Sequence, residues 1–247
     1  MTERVALVTG GAGEIGTAIC RALAGKGCKV AAGWLEGVDD GPAWQAEQKK
    51  AGFDFAIVAG DVSKFEDAEA MVKSVEAELG PVDILVNCAG ITKDGTLRRM
   101  QAEQWNAVID VNLNSVFNVT KQVVDGMMSR GFGRVVNISS VNGQKGQRGQ
   151  TNYAAAKAGM HGFTMSLAQE VANKGVTVNS VSPGYVATDM VMRVPEKARE
   201  QIVAQIPAGR LAEPSEIAWT VAFLADDQSA YITGANIAVN GGLHMGP

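Results

Sequence analysis

The sequence predicts an α/β fold, a single doubly wound parallel sheet of about seven strands with helices on both faces. Three observations predict it. Short apolar runs rich in Val, Ile and Ala recur along the chain, and segments with apolar residues at helical spacing separate most of them. A glycine-rich turn stands between the first run and the first helical segment. No linker, low-complexity segment or short repeat interrupts the pattern, so residues 1 to 247 are expected to form one domain.

In chain order, the first strand covers residues 5 to 8, and Ile15, Ile19 and Leu23 mark the helix beyond the glycine turn. Further strands are expected at 29 to 32, 55 to 59, 82 to 86, 134 to 138 and 176 to 181, with a last one near 237 to 239. The helical segments between them are 43 to 51, 65 to 79, 102 to 129, 151 to 174 and 214 to 224. Between Gly184 and Leu211 the alternation fails over a stretch that holds Thr188, Met192, Pro195 and Pro207. Long insertions at the carboxyl end of a sheet often form lids over sites, so residues 185 to 212 are expected to be a substrate lid.

Composition narrows the function classes. With 46% hydrophobic residues the chain can bury a full core, and a net charge of −4 provides no basic surface for nucleic acid. No apolar run is long enough to span a bilayer, and the amino terminus lacks a charged-then-apolar signal segment. A cytoplasmic protein without membrane partners is expected. Cys20, Cys28 and Cys88 lack metal-ligand or CxxC spacing and read as reduced packing residues; His161 and His244 are too isolated for a metal site.

Two stretches carry chemistry. Tyr153 and Lys157 stand four apart in a helical segment and so share one face, where an ammonium would draw a phenol's pKa towards the working range. Ser140 follows the strand at 134 to 138, which puts its hydroxyl at a carboxyl end, where ligands of open α/β sheets bind. Alternation points Ser139 the opposite way, as a structural residue. The second stretch, TGGAGEIG from Thr9 to Gly16, lies between a strand and a helix, where glycines let the backbone approach a pyrophosphate. This makes the fold Rossmann-type. The end of the second strand, Gly33 to Trp44, carries Glu36, Asp39 and Asp40 and no Lys or Arg. Acidic groups there bind ribose hydroxyls and disfavour an extra phosphate, so NADH is favoured over NADPH, with Arg21 or a backbone site serving the alternative.

These motifs resemble the classical short-chain dehydrogenase/reductase family. Thr9, Gly10 and Gly16 match its phosphate turn, with Glu14 in place of the middle glycine. The resemblance continues through Asp61 in GDV, NCAG from Asn87 to Gly90, Asn112 in VNL, the Ser140, Tyr153 and Lys157 spacing, and Pro183-Gly184 followed by Thr188. It implies four catalytic residues, Asn112, Ser140, Tyr153 and Lys157, with Asn112 holding a water relay. It also implies cofactor contacts from Thr9, Gly10, Gly13, Glu14, Ile15 and Gly16, from Trp34 and Glu36, and from Asp61 and Val62. Asn87, Ala89, Gly90, Tyr153, Lys157, Pro183, Gly184, Val186 and Thr188 complete that set.

Within the family the chain is most similar to acetoacetyl-CoA reductases of polyhydroxybutyrate synthesis, through VNGQKGQ, GQTNY, SPGYVATDM and NGGLHM. The resemblance implies an acyl-CoA substrate held by Ser140, Gln147, Arg148, Gln150, Tyr153 and Tyr185, and a homotetramer built on the helices at 102 to 129 and 151 to 174. Arg148 stands where an aromatic residue is expected. The alternatives are a 3-oxoacyl-acyl-carrier-protein reductase, which shares every catalytic motif, and a nucleotide-sensing protein on the same fold.

Overall fold

In a computed structural model, which describes residues 3 to 246, the strands are β1 (Val5–Thr9), β2 (Lys29–Trp34), β3 (Ala56–Ala59), β4 (Val82–Asn87), β5 (Gly133–Ile138), β6 (Val176–Pro183) and β7 (Asn236–Val239). Met1, Thr2 and Pro247 lie outside the described residues. The seven strands pair in parallel in the order β3-β2-β1-β4-β5-β6-β7. β1, VALVT, is buried at every position, as a strand covered on both faces must be. Chain direction across the sheet reverses between β1 and β4, which opens a crevice at their carboxyl ends.

One face is covered by α1 (Glu14–Gly25) and α10 (Pro214–Ala225), whose Ile19, Leu23, Ile217 and Val221 share a buried cluster with Val8 and Val86. Burying each such side chain contributes about 2 kcal/mol. On the other face α3 (Phe65–Leu79), α5 (Ser115–Arg130) and α7 (Thr151–Val171) bury Met71, Val75, Val123, Met127 and Val171 against Leu7 and Leu85. α2 (Gly41–Lys50) begins two residues earlier than its periodicity indicates, because Asp40 caps it by accepting from Ala43 N at 3.0 Å. Among the described residues no helix is long and apolar enough to cross a membrane.

Two departures from the expected elements bear on the site. The helix expected over 102 to 129 is three pieces: α4 (Ala102–Ile109), a π-helical turn at Asp110–Asn114, and α5. The Asn112 side chain donates to Val108 O and to Ile91 O, both at 2.9 Å, and so stitches the widened turn to the loop after β4. A five-residue helix that the periodicity did not signal, α6 (Val141–Lys145), starts at Ser140, whose hydroxyl accepts from Asn142 N at 3.1 Å. The long connection after β6 holds α8 (Asp189–Met192) and α9 (Glu196–Val203). Its two ends are joined at the base, Ala212 N donating to Tyr185 O at 2.9 Å and Ala187 N to Ala212 O at 2.8 Å.

Candidate active site

The turn after β1 is made of backbone. Gly10 adopts φ +62, and a Cβ there would lie 2.9 Å from Ala89 Cα. A side chain at Gly16 would overlap the Gly10 carbonyl oxygen, whereas Gly13, the N-cap of α1, is exposed and faces no close neighbour beyond that same oxygen. The result is an open concave edge of main chain at a helix's positive end, with Ile15 half-buried behind it. Thr9 is buried, and its hydroxyl accepts from Cys88 N at 3.0 Å and Ala89 N at 3.2 Å. It therefore fixes the β4 turn against the β1 turn. Asn87 is buried too, donating to Asn137 Oδ1 at 2.8 Å and Thr120 Oγ1 at 3.1 Å.

Glu14 does not face the concave edge. Its carboxylate accepts from Asp189 N at 2.8 Å, across 175 residues of sequence, and so joins the turn to the first turn of α8. At the end of β2, Trp34 packs its ring against Gly41. Asp39 accepts from Leu35 N at 3.2 Å and Asp40 caps α2, so these two carboxylates serve local turns while Glu36 is exposed. Arg21 donates to Gln48 Oε1 at 2.9 Å and lies over the Phe53 ring. Asp61 accepts from the Ser63 backbone and hydroxyl at 3.0 and 2.6 Å and pairs with Lys64 at 3.6 Å. Burial is the largest influence on its carboxyl and pushes the pKa up, but those partners together outweigh it and leave the value below the usual range. Val62 beside it is buried, its carbonyl taken by Asn118.

On the other side of the crevice Ser140, Tyr153, Lys157 and Asn112 converge. Lys157 is 3% exposed, and its ammonium donates to Ile138 O at 2.8 Å and sits 5.6 Å from the Tyr153 ring centroid. Burial draws its pKa down from 10.5 to about 8, with Cys88 opposing. Asn112 is fully buried, and its Oδ1 has no hydrogen-bond partner among the described residues. A Cβ on Gly90 would lie 2.7 Å from that oxygen and 3.5 Å from Lys157 Nζ, so the bare glycine keeps a small polar space open between them. An orphaned buried acceptor beside an ammonium is the setting for a bridging water.

The phenol differs from expectation. Desolvation pushes the Tyr153 pKa above the ordinary tyrosine range, the hydrogen bond with Ser140 works against this, and Cys88 and Asp94 add to the rise. The ammonium stands 5.6 Å from the ring centroid and bonds Ile138 O. Tyr153 is thus held protonated. Ser139 behaves as alternation indicates: its hydroxyl donates to Lys157 O at 2.9 Å and lies 2.8 Å from His161 Nε2.

The residues expected around a substrate are spread more widely. Gln150 uses both ends of its amide, donating to Asp94 Oδ2 at 2.9 Å and accepting from Asn142 Nδ2 at 2.9 Å. Gln147 is exposed and accepts from Lys145 at 3.2 Å, and Arg148 is exposed beside it. Tyr185 borders a small cavity of about 60 Å³ together with Ile206 and Arg210 of the long connection. Pro183 ends β6, and Gly184 lies against Asn240, where a Cβ would be 2.9 Å from its Cα. Val186 is buried, and Thr188 stands just before α8, its hydroxyl donating to Val186 O at 3.5 Å and not to the helix. Sequence reasoning passed over Asp94 and Asn142. Asn142 stands two residues after a serine, the spacing of a local side-chain turn, which is a usable signal; Asp94 carries none.

A family model described as short chain dehydrogenase matches residues 4–199. The chain belongs to that family. An acetoacetyl-CoA reductase of Allochromatium vinosum is 58% identical over 98% of this chain and 99% of its own length. One from Cupriavidus necator is 56% identical over the full length of both. A 3-oxoacyl-[acyl-carrier-protein] reductase of Vibrio cholerae is 48% identical over 98% of each chain. Membership of the short chain dehydrogenases implies a nicotinamide cofactor, and the main-chain edge left open at Gly10, Gly13 and Gly16 fits one.

Proposed function

We propose that the protein reduces acetoacetyl-CoA to (R)-3-hydroxybutyryl-CoA, within polyhydroxybutyrate synthesis. The observation that carries this reading is the convergence of Ser140, a protonated Tyr153 and a buried Lys157 beside a main-chain turn for a dinucleotide, in a chain so similar to two acetoacetyl-CoA reductases. The turn from Gly10 to Gly16, with Asp61 and Glu36 beyond it, would hold the cofactor's phosphates and adenosine, and Lys157 and the Pro183 to Thr188 segment its nicotinamide end. When bound, the reduced nicotinamide supplies a hydride to the 3-oxo carbon.

The chain's own residues manage the oxygen. Ser140 hydrogen-bonds it as charge develops there, and Tyr153 gives its phenolic proton to it, the form the raised pKa maintains. The resulting phenolate is stabilised by the Lys157 cation, largely protonated below its pKa of about 8. A water between Lys157 Nζ and Asn112 Oδ1 then returns a proton. Residues 185 to 212 close over the substrate as a lid.

NADH is the favoured cofactor. Glu36 is free to meet ribose hydroxyls, while Arg21 is held by Gln48 and Phe53 and is not available for a 2′-phosphate. Exposed Phe117 on α5 and Met165 on α7 support assembly through those helices, in a tetramer. Steady-state kinetics with both reduced cofactors on acetoacetyl-CoA and on the matching carrier-protein thioester test the reading. Faster turnover of the CoA thioester with NADH is expected; preference for the carrier-protein thioester would make this a fatty acid synthesis reductase instead. Tyr153→Phe should lose nearly all turnover while binding cofactor normally, and retained turnover would refute its proton role.

A further inference from the structure

We propose that Lys93, Arg98, Arg99, Lys145 and Arg148 form a basic rim that holds the phosphate groups at the nucleotide end of the coenzyme A thioester, an inference that rests on the substrate reading above. Four of the five lie on two loops and Lys145 ends α6, and hydrogen bonds join these segments into one wall. Gly95 N donates to Gly149 O at 2.8 Å, Gln150 to Asp94 at 2.9 Å, and Asn152 Nδ2 to Lys93 O at 3.1 Å. Asn152 immediately precedes Tyr153 in the first turn of α7, so the wall adjoins the helix that carries the phenol.

Cations outnumber carboxylates along it. All five cations are exposed, and none forms an ion pair among the described residues; other Lys and Arg side chains are also unpaired, but these five are gathered on one wall. Of the carboxylates in the same stretches, Asp94 is engaged by Gln150 and Glu103 stands at the start of α4. The long connection opposite is more nearly balanced, with Arg193, Lys197, Arg199 and Arg210 set against Asp189, Glu196 and Glu200. In a protein of net charge −4, with Glu36, Asp39 and Asp40 at the far end of the crevice, this is a concentrated positive field on the substrate side. Such a field gathers a polyanion and orients it. A coenzyme A thioester fits: its apolar acyl group and long neutral arm enter the pocket, and its phosphates remain outside, at the mouth. The same geometry gives exposed Arg148, where an aromatic residue was expected, a partner of its own.

The test compares acetoacetyl-CoA with the acetoacetyl thioester of N-acetylcysteamine, which carries the reacting group and no phosphate. In the wild type, kcat/KM for the CoA thioester should fall with added salt and that for the short thioester should not. Arg98→Gln combined with Arg99→Gln should lower kcat/KM about tenfold on acetoacetyl-CoA, as two exposed charge contacts warrant, and leave the short thioester within about twofold. Lys145→Gln should act in the same direction. Unchanged kinetics on acetoacetyl-CoA, or equal losses on both substrates, would overturn the inference. So would a loss seen only with a carrier-protein thioester, which would make the rim a protein-docking surface. A wild type inert towards both small thioesters would instead strike down the substrate reading itself, and the inference with it.

Discussion

Replacing Lys157 by methionine should make the protein more stable at neutral pH. The ammonium is 3% exposed, and its pKa falls from 10.5 to about 8 because burial penalises the charged form. At about 1.4 kcal/mol per pH unit, that drop is a cost of about 3 kcal/mol to the folded state wherever lysine is protonated in the unfolded chain. The sign follows from proton counts. Between pH 8 and 10.5 the unfolded chain holds more protons at this site than the folded one, so Lys157 contributes a stability that rises with pH across that window. Methionine fills nearly the same volume without charge and forfeits the bond to Ile138 O, worth about 1 kcal/mol. The net expectation is a gain of about 2 kcal/mol at pH 7, shrinking to a small loss above pH 10.5, with activity abolished. Urea unfolding of both proteins at several pH values measures it. The difference between the two curves is the quantity to read, because Cys28 and Cys88, each raised to about 11, and Tyr153 pull wild-type stability the other way as pH rises. A variant less stable than wild type at pH 7, or a difference independent of pH between 8 and 10.5, would refute the argument.

Three further outcomes are expected. Gly16→Ala drives a methyl into the Gly10 carbonyl and should weaken cofactor binding by at least about 2 kcal/mol, roughly thirtyfold, by fluorescence titration; normal affinity would mean the turn relaxes freely. Glu14→Ala removes the acceptor of Asp189 N, an exposed charge-assisted bond of about 1 kcal/mol, so amide exchange at Asp189 should quicken about fivefold, with Glu14→Gln close to wild type; no change would mean the contact does not hold α8. Arg21→Ala should leave the NADPH-to-NADH ratio of kcat/KM unchanged because Gln48 and Phe53 hold that guanidinium, whereas Glu36→Gln should raise it. A collapse of NADPH turnover in Arg21→Ala would reverse that assignment.

The sheet was legible because its signals are local. Val5, Leu7 and Val8 are buried as the apolar run required, and the glycines at 10 and 16 sit where only backbone fits. Ser140, Tyr153 and Lys157 were legible for the same reason, since one helix turn and one strand end fix their relative placement. What the chain did not disclose depends on contacts between distant segments. The periodicity of 102 to 129 runs through the π turn without interruption, because Asn112 stitches it by bonds to Val108 and, beyond the helix, Ile91. Gln150 looks free to line a pocket until Asp94 and Asn142 take both ends of its amide.

Glu14 shows most clearly how a local rule misleads. A carboxylate in place of a phosphate-turn glycine reads as repulsion towards the cofactor, yet its oxygen is taken by the amide of Asp189. The first turn of α8 has unpaired amides that need an acceptor, and an anion beside them satisfies one directly. A glycine at position 14 would leave that amide to water or to the cofactor. With Glu14, α8 is held against the phosphate turn by the chain itself, so its attachment precedes cofactor binding and does not depend on it. The residue expected among the cofactor contacts therefore preorganises the site's outer wall, at the cost of one negative charge near the phosphates.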